Sequence, residues 1–438
     1  MAILSNEEAR KILEKVLSYS KADECIVSLS GSEGGNIRYA RNTVSTSGKE
    51  SNISLGVQSS FGKKSGVSTI NEFDDASLQK VVQRSEELAQ FAPDNPEFMP
   101  VLGPQQFDES MAFFESTANI DPAFRAQAAM NSIDPSRKEG LTSAGFLEHQ
   151  SGFNAMMNSK GLFGYYKDSD VKFTVTVRTE DGTGSGWVTR DFNDVTLLDT
   201  ARASQVAIDK AKMSKNAKAI EPGRYTVILE PAAAVDLLQN MMYSMGARQA
   251  DEGRSFMSKQ GGGTKKGEKI VDERVTIYSD PLNKLIPSST WSGDGLPVRK
   301  RTWIENGVVK NLAYDRYWAS QKNQEPVPGP GSFIMEGGNA SLEDMIASTD
   351  RGILITRLWY IRAVDPQTLL YTGLTRDGTF YIENGKIQFP VKNFRFNESP
   401  IIMLNNLEAI GQQQRVDNCL IPPLKIRDFT FTSLSDAV

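Results

Sequence analysis

Histidine is the side chain that most often binds a metal or moves protons near neutral pH, and this chain of 438 residues has one, His149. A single imidazole excludes any paired-histidine metal site within the chain. A Ser-His-Asp arrangement would have to be built on His149, and no G-x-S-x-G elbow accompanies it. A lone histidine in a strand-rich region reads as a packed or surface residue. Cys25 and Cys419 are the only cysteines and neither sits in a C-x-x-C pair, so a zinc-thiolate site within the chain is not expected. The loop GGGTKKGEK, Gly261 to Lys269, invites comparison with a phosphate cradle. Its Gly267 is followed by Glu268, whose charge would repel phosphate, so it reads as a surface loop. The run DGTGSG, Asp181 to Gly186, leads to Trp187 rather than straight into a helix, unlike a dinucleotide fingerprint. The pairs Asp74-Asp75 and Glu86-Glu87 are explained as helix caps and solvated faces.

One stretch stands apart. LLQNMMYSMG, Leu237 to Gly246, is helix-like, carries no charge, holds three methionines and follows the strand-like run YTVILEP. Gln239, Asn240 and Ser244 are its polar positions. Core packing is the plain reading of Met241, Met242 and Met245.

Composition sets the bounds. Hydrophobic residues are 39% and charged residues 24%, an ordinary globular mixture, and the net charge of −5 gives no reason to expect nucleic acid. The basic spot Arg299-Lys300-Arg301 reads as a solvated face. Two cysteines in a long chain indicate a reducing compartment. The opening MAILSNEEARK lacks a signal-peptide core, and no membrane-length apolar run occurs. The expectation is a cytoplasmic protein with no membrane span.

The elements that must position any site fall into three segments. In residues 1–100, Ser5 and Glu8 form a capping box ahead of a helix whose face is Ala9, Ile12, Leu13, Val16 and Leu17. Strands follow at Cys25, Val27, Leu29 and at Ile53, Leu55, Val57. Asp75 is expected to cap a second helix with the stripe Leu78, Val81, Val82, Leu88 and Ala89, ended at Ala92-Pro93. In residues 105–220, a helix from Asp121 to about Arg137 precedes three strands. In the clearest of these, Val171, Phe173, Val175 and Val177 face a core, and Lys172, Thr174 and Thr176 form a wet face. Asp194 is expected to cap a long helix through Val195, Leu198, Ala201 and Ile208, punctuated by Glu221-Pro222-Gly223. Residues 221–438 are strand-rich. Asn306-Gly307 and Asn384-Gly385 sit between apolar runs and predict type I′ hairpins, with a short helix near Leu342 to Ala347 and a loop at QEPVPGPGS. Segregated strands and helices give an α+β fold: N-terminal helix and antiparallel-strand segments and a C-terminal strand-rich domain with β-hairpins.

Family patterns add to this. The stretch from IRYARNTVSTSGKE to INEFDDASLQKVV resembles the N-terminal region of the TldD/PmbA family, also called TldD/TldE or "modulator of DNA gyrase". The likeness continues in VTIYSDP and GLPVRKRTWIENGVVKNLAYDRYWA, is dense in SLEDMIASTDRGILITRLWYIRAVDPQTLLYTGLTRDGTFYIENGKIQFPVKNFRFNESP, and closes with NLEAIG. The resemblance implies a cytoplasmic subunit of a heterodimeric peptidase. The TldD-type subunit of that family carries an HExxxH zinc motif on a helix following a strand. Here that motif falls on LLQNMMYSMG, with Gln239 and Asn240 at the first histidine and the glutamate and Ser244 at the second histidine. A structural zinc site contributes about 10–16 kcal/mol of binding, which two amides and a hydroxyl cannot recover.

The resemblance therefore implies a PmbA/TldE-like subunit with no metal or cofactor of its own and no catalytic residue. Its partner would be a zinc-bearing TldD-like subunit, and its substrate unfolded peptide. A TldD-type subunit also uses a cysteine ligand, and Cys419 lies in a roughly corresponding region without an assigned role. The alternatives are a non-enzymatic homodimer that binds peptides or protein, and a peptidase with an unrecognised site near Asn240 and Asp251. Nothing in the residues supports a gyrase or DNA contact.

Overall fold

The computed structural model describes residues 3–435. The first half is a helix-covered sheet. Its elements are α1 (Asn6–Ser18), β1 (Glu24–Ala40), β2 (Thr43–Phe61), β3 (Lys64–Ile70), α2 (Asp75–Phe91), α3 (Glu115–Ala118), α4 (Pro122–Lys138), β4 (Leu141–Asn158), β5 (Phe163–Thr179), β6 (Ser185–Phe192) and α5 (Thr200–Met213). The strands form one antiparallel sheet in the order β3-β2-β1-β4-β5-β6, so the segments before and after residue 100 share it.

Residues of one parity on each strand turn to the helices. Val27, Leu29, Leu55, Val57 and Phe153 pack under α1 and α2 through Leu13, Val16, Leu78 and Val81. Ile37, Tyr39, Val171, Phe173 and Val175 pack under α4 and α5 through Ala129, Ile133, Ala207 and Ile208. Each helix covers a continuous apolar stripe, and burial on this scale is what holds such a layer together.

The capping box at Ser5 and Glu8 is present, and α4 begins behind the Asp121 cap. Five details of the sequence reading are corrected. Asp74, not Asp75, caps α2 by accepting from the Ser77 amide, and Leu88 is 46% exposed rather than part of the buried stripe. The helix expected from Asp194 is broken: Asp194 caps a single 3-10 turn at Val195–Leu197, Leu198 is extended, and Asp199 caps α5 afresh. Two aspartates five positions apart each offer a cap, and the chain uses both. Glu221-Pro222-Gly223 lies well beyond the end of α5, in the approach to the next strand. The face of β5 read as wet is only half exposed, because it turns toward the C-terminal half: Lys172 pairs with Asp417 at 2.6 Å.

The second half comprises β7 (Arg224–Leu229), α6 (Pro231–Tyr243), α7 (Ala247–Asp251), β8 (Ile277–Ser279), β9 (Arg301–Glu305), β10 (Val308–Val309), α8 (Arg316–Gln321), β11 (Ile334–Met335), α9 (Leu342–Ala347), β12 (Arg351–Asp365), β13 (Leu370–Glu383), β14 (Lys386–Pro390), β15 (Phe394–Glu398), α10 (Pro400–Asn405), β16 (Leu407–Ile410), β17 (Gln414–Val416), β18 (Cys419–Ile421) and β19 (Leu424–Leu434). Strands β12, β7, β19, β15 and β13 pair in that order, and β13 pairs back onto β12, closing the ring. Closure leaves these strands with few open edges. A smaller sheet runs β10-β9-β8-β11-β18-β17. The fold is α+β.

Both Asn-Gly hairpins are formed. Asn306 and Gly307 have φ of 49° and 77°, and Asn384 and Gly385 have 51° and 74°, the left-handed values a type I′ turn requires. A Cβ on Gly385 would also lie 2.6 Å from the Ala347 carbonyl oxygen. Gly385→Ala is therefore expected to cost about 1–3 kcal/mol, read as a lowered denaturation midpoint. Gly103→Ala is the control, since nothing lies within 4 Å of its Cβ position and it should be near neutral.

Candidate functional site

Helix α6 follows β7 with Pro231 in its first turn, where a missing N–H costs nothing. One side is core: Ala233, Ala234, Leu237, Leu238, Met241 and Met242 are buried, and Met245 just beyond is buried too. The methionines are packing residues. Ala232, Asp236, Gln239, Asn240 and Tyr243 recur at helical spacing and form the opposite stripe, the floor of a cavity of about 410 Å³. Its other walls come from β6 (Trp187), β12 (Arg357 to Ile361) and the β17–β18 turn (Asp417). The cavity thus lies where the two halves of the molecule meet.

The three polar positions read from the sequence fare differently. Gln239 and Asn240 reach the cavity; Ser244 does not, because the helix ends at Tyr243 and Ser244 is its C-cap. The Ser244 hydroxyl donates to the Asn240 carbonyl oxygen at 2.8 Å, and Asn240 Nδ2 donates to the Asp236 carbonyl oxygen at 2.7 Å. Gln239 Nε2 donates to Cys419 Sγ at 3.9 Å. Cys419, for which the sequence suggested only an approximate location, is thereby brought against the first of the motif positions. It is buried, and burial pushes its thiol up to about 11, so it is protonated. Two amides, a hydroxyl directed at its own helix and a neutral thiol do not fit a zinc ion, which needs imidazole, thiolate or carboxylate donors. Among the described residues, no group of three or more His, Cys, Asp or Glu converges as a metal cluster.

The side chain with the most perturbed chemistry here is Asp236, which sequence reasoning missed. Burial, with Asp417 adding to it, raises its carboxyl to about 7, against the opposing pull of Arg357 and Lys172. The available signal was that Asp236 is the only charge in PAAAVDLLQNMMY. Arg357 is tied to Asp377 at 2.7 Å and lies over the Trp187 ring at 4.3 Å. A larger cavity of about 860 Å³ adjoins, sharing Tyr243 and reached by Arg299 and Arg301 of the basic spot, so that stretch is not simply a solvated face.

The remaining sequence candidates stand elsewhere. His149 on β4 is buried against Arg125, whose Nη1 lies 3.1 Å from Nε2, and burial with that charge lowers it to about 4. It is a neutral packed residue. Asp251 accepts from Trp318 Nε1 at 2.8 Å and does not join Asn240 in the cavity. Cys25 is buried in the N-terminal core, apart from Cys419. In DGTGSG, Gly186 is needed for close packing, since its Cβ would lie 2.1 Å from the Ala207 carbonyl oxygen of α5. The Gly261–Gly263 loop has left-handed backbone throughout, is closed by the Lys259 amide donating to the Gly263 carbonyl oxygen, and has open space at each Cβ position. Among the described residues, no helix is long and apolar enough to cross a membrane.

The raised carboxyl has a consequence for stability. The fold favours neutral Asp236, so its contribution is full below about pH 4 and is lost as pH rises through about 7. Asp236→Asn is expected to stabilise the protein at pH 8, by about 2 kcal/mol after solvent screening, and to have little effect at pH 4. Thermal melts of both proteins across this range check it.

Comparison with known proteins shows the fold and the family. Residues 25–89, 114–215 and 222–433 match family models described as PmbA/TldA metallopeptidase domain 1, central domain and C-terminal domain. An uncharacterized protein of Methanocaldococcus jannaschii is 24% identical over 380 residues, covering 82% of this chain and 86% of that protein. The metalloprotease PmbA of Escherichia coli is 21% identical over 458 residues, covering 97% and 98%. TldE from Thermococcus kodakarensis superposes with a TM-score of 0.87 at 18% identity, over 97% of this chain and 99% of that one. A candidate modulator of DNA gyrase from Bacteroides thetaiotaomicron gives 0.87 at 19% identity, over 99% and 100%. The same fold is shared along the whole length, and the α6 cavity lies within the matched regions: the chain belongs to the PmbA/TldD metallopeptidase family.

Proposed function

We propose that this chain is a metal-free, PmbA/TldE-like subunit. It holds extended, unfolded peptide and supports cleavage by a separate zinc-bearing TldD-like subunit in the cytoplasm. The observation that carries this reading is the floor of the α6 cavity. Where the family motif would place zinc ligands, Gln239 and Asn240 present carboxamides and Ser244 turns back onto the helix. Carboxamides suit the amide groups of a peptide backbone and not a zinc ion. The free, buried cysteines are compatible with a reducing compartment. Relatives named as metalloproteases support the link to proteolysis.

A second reading, a non-enzymatic homodimer, draws on one feature. Strand β3 pairs with β2 only from Leu55 to Phe61, so residues 43–54 of β2 form an exposed edge beyond their pairing with β1. Such an edge can accept a strand from another chain.

Elemental analysis of the purified chain is expected to find no stoichiometric zinc. Peptidase activity should arise only on mixing with an HExxxH-bearing partner and be removed by chelator. Stoichiometric zinc, or chelator-sensitive cleavage by this chain alone, would overturn the proposal. The triple variant Gln239→His, Asn240→Glu, Ser244→His is expected to remain without stoichiometric metal, because position 244 lies past the last helical turn.

A further inference from the structure

The wall of the α6 cavity contributed by β12 departs from regular strand geometry. Trp359 pairs with Leu374 and Arg362 with Thr372, so Tyr360 and Ile361 together oppose Gly373 alone. This is a bulge, and at its centre Tyr360 has φ of 56°. A bulky aromatic residue in the left-handed region is a backbone outlier with a cost in stability. In a regular strand Trp359 and Tyr360 would point to opposite faces. Here both line the same cavity, their ring centroids 5.5 Å apart. Bulges re-aim side chains in this way, often beside functional sites. Both rings are well exposed, Trp359 at 40% and Tyr360 at 57%. Across the cavity stand Tyr243, 69% exposed, and Trp187.

We infer that this aromatic cluster is a side-chain subsite for an extended peptide, selective for a neutral aromatic or large aliphatic residue. The inference rests on the peptide-holding reading above and names its specificity. Charge decides the class of occupant. Guanidinium groups already lie over the rings: Arg376 over Trp359 at 3.9 Å, Arg362 over Tyr360 at 4.3 Å and Arg357 over Trp187 at 4.3 Å. A further cation would enter against all three. An acidic side chain would face Asp417, joined by Asp236 once that is ionised, while the Arg357 and Arg376 guanidiniums are already held by Asp377. A neutral ring or aliphatic chain meets neither objection and gains contact area. The backbone carrying it has partners nearby, since Gln239 and Asn240 each use an N–H within the protein, leaving a carboxamide oxygen to accept from a peptide amide. The volume of about 410 Å³ lies within the usual range for small ligand sites of about 300–1,000 Å³.

The test uses the full chain without any partner, so that cleavage plays no part. Fluorescein-labelled polar heptapeptides differing at one central position (Phe, Leu, Ala, Lys or Glu) are titrated by anisotropy. The Phe and Leu peptides are expected to bind on the order of tenfold more tightly than the Ala peptide, with Lys and Glu no better than Ala. Tyr360→Gly should remove that preference while leaving the melting temperature unchanged or raised, since glycine relieves the left-handed backbone. A merely structural tyrosine would instead lower the melting temperature and leave the preference intact. Trp359→Ala, checked by circular dichroism, should also lose the preference. Equal binding of all five peptides, a preference for Lys or Glu, or a Tyr360→Gly protein that keeps the Phe preference would overturn the subsite and leave the peptide-holding reading standing. Binding of none of them would overturn both.

Discussion

The site depends on how one carboxylate holds the two halves of the molecule together. Asp191, on the face of β6 turned away from the helices, accepts from Arg415 Nε at 3.0 Å and from the backbone amides of Asp417 and Asn418 at 2.8 and 2.9 Å. Asp417 and Asn418 form the turn between β17 and β18 with φ of 45° and 56°, and that left-handed pair directs both amides to one point. The Asp191 and Arg415 side chains are 11% and 8% exposed, so neither charge could stand there alone. Held in this way, the turn sets Asp417 beside Lys172 and Cys419 against Gln239. The α6 cavity follows from that docking: its floor belongs to one half of the chain, and Trp187 reaches it from the other.

What could be read in the sequence was local. The Ser5 and Glu8 capping box, the Asp121 cap, the alternation on β5 and both Asn-Gly turns report interactions between residues a few positions apart, and each is present. Errors arose where two local solutions competed, as with Asp194 and Asp199, or where a polar face met protein instead of water, as at Lys172. The family likeness pointed to α6 as the helix of interest. It did not reveal the cavity, because Asp191, Asp236, Arg357 and Asp417 come together only through non-local strand pairing and the docking of the halves. Residues of ordinary type, far apart in the chain, carry no periodic signal.

The polar positions of α6 do more than fill space. An imidazole or carboxylate at 239 or 240 would present a titrating group beside Asp236, Asp417 and Arg357. The carboxamides are neutral at every pH and satisfy part of their hydrogen-bonding capacity within the protein. Methionines fill the buried side of the same helix, so α6 is anchored as core on one face while its other face stays polar and open.

The distribution of unfavourable features makes the same point. Asp236 is held in surroundings that disfavour its charge, Tyr360 is held in a left-handed bulge, and several large aromatic rings remain partly exposed to solvent. Each of these lowers stability, and selection for folding alone would remove them from ordinary surface positions. Single features of these kinds occur elsewhere, as at Glu398 and Leu369, but here a raised carboxyl, a left-handed aromatic residue and exposed rings meet around one cavity. When local rules are broken together around one concave surface, occupancy by a ligand is the economical physical explanation. A donor set on α6 that does not fit zinc therefore still leaves a cavity with the features of a binding site. The chemistry of cleavage and the holding of a chain are separable tasks, and on the function proposed above the strained bulge, the aromatic rings and the carboxamides serve the second.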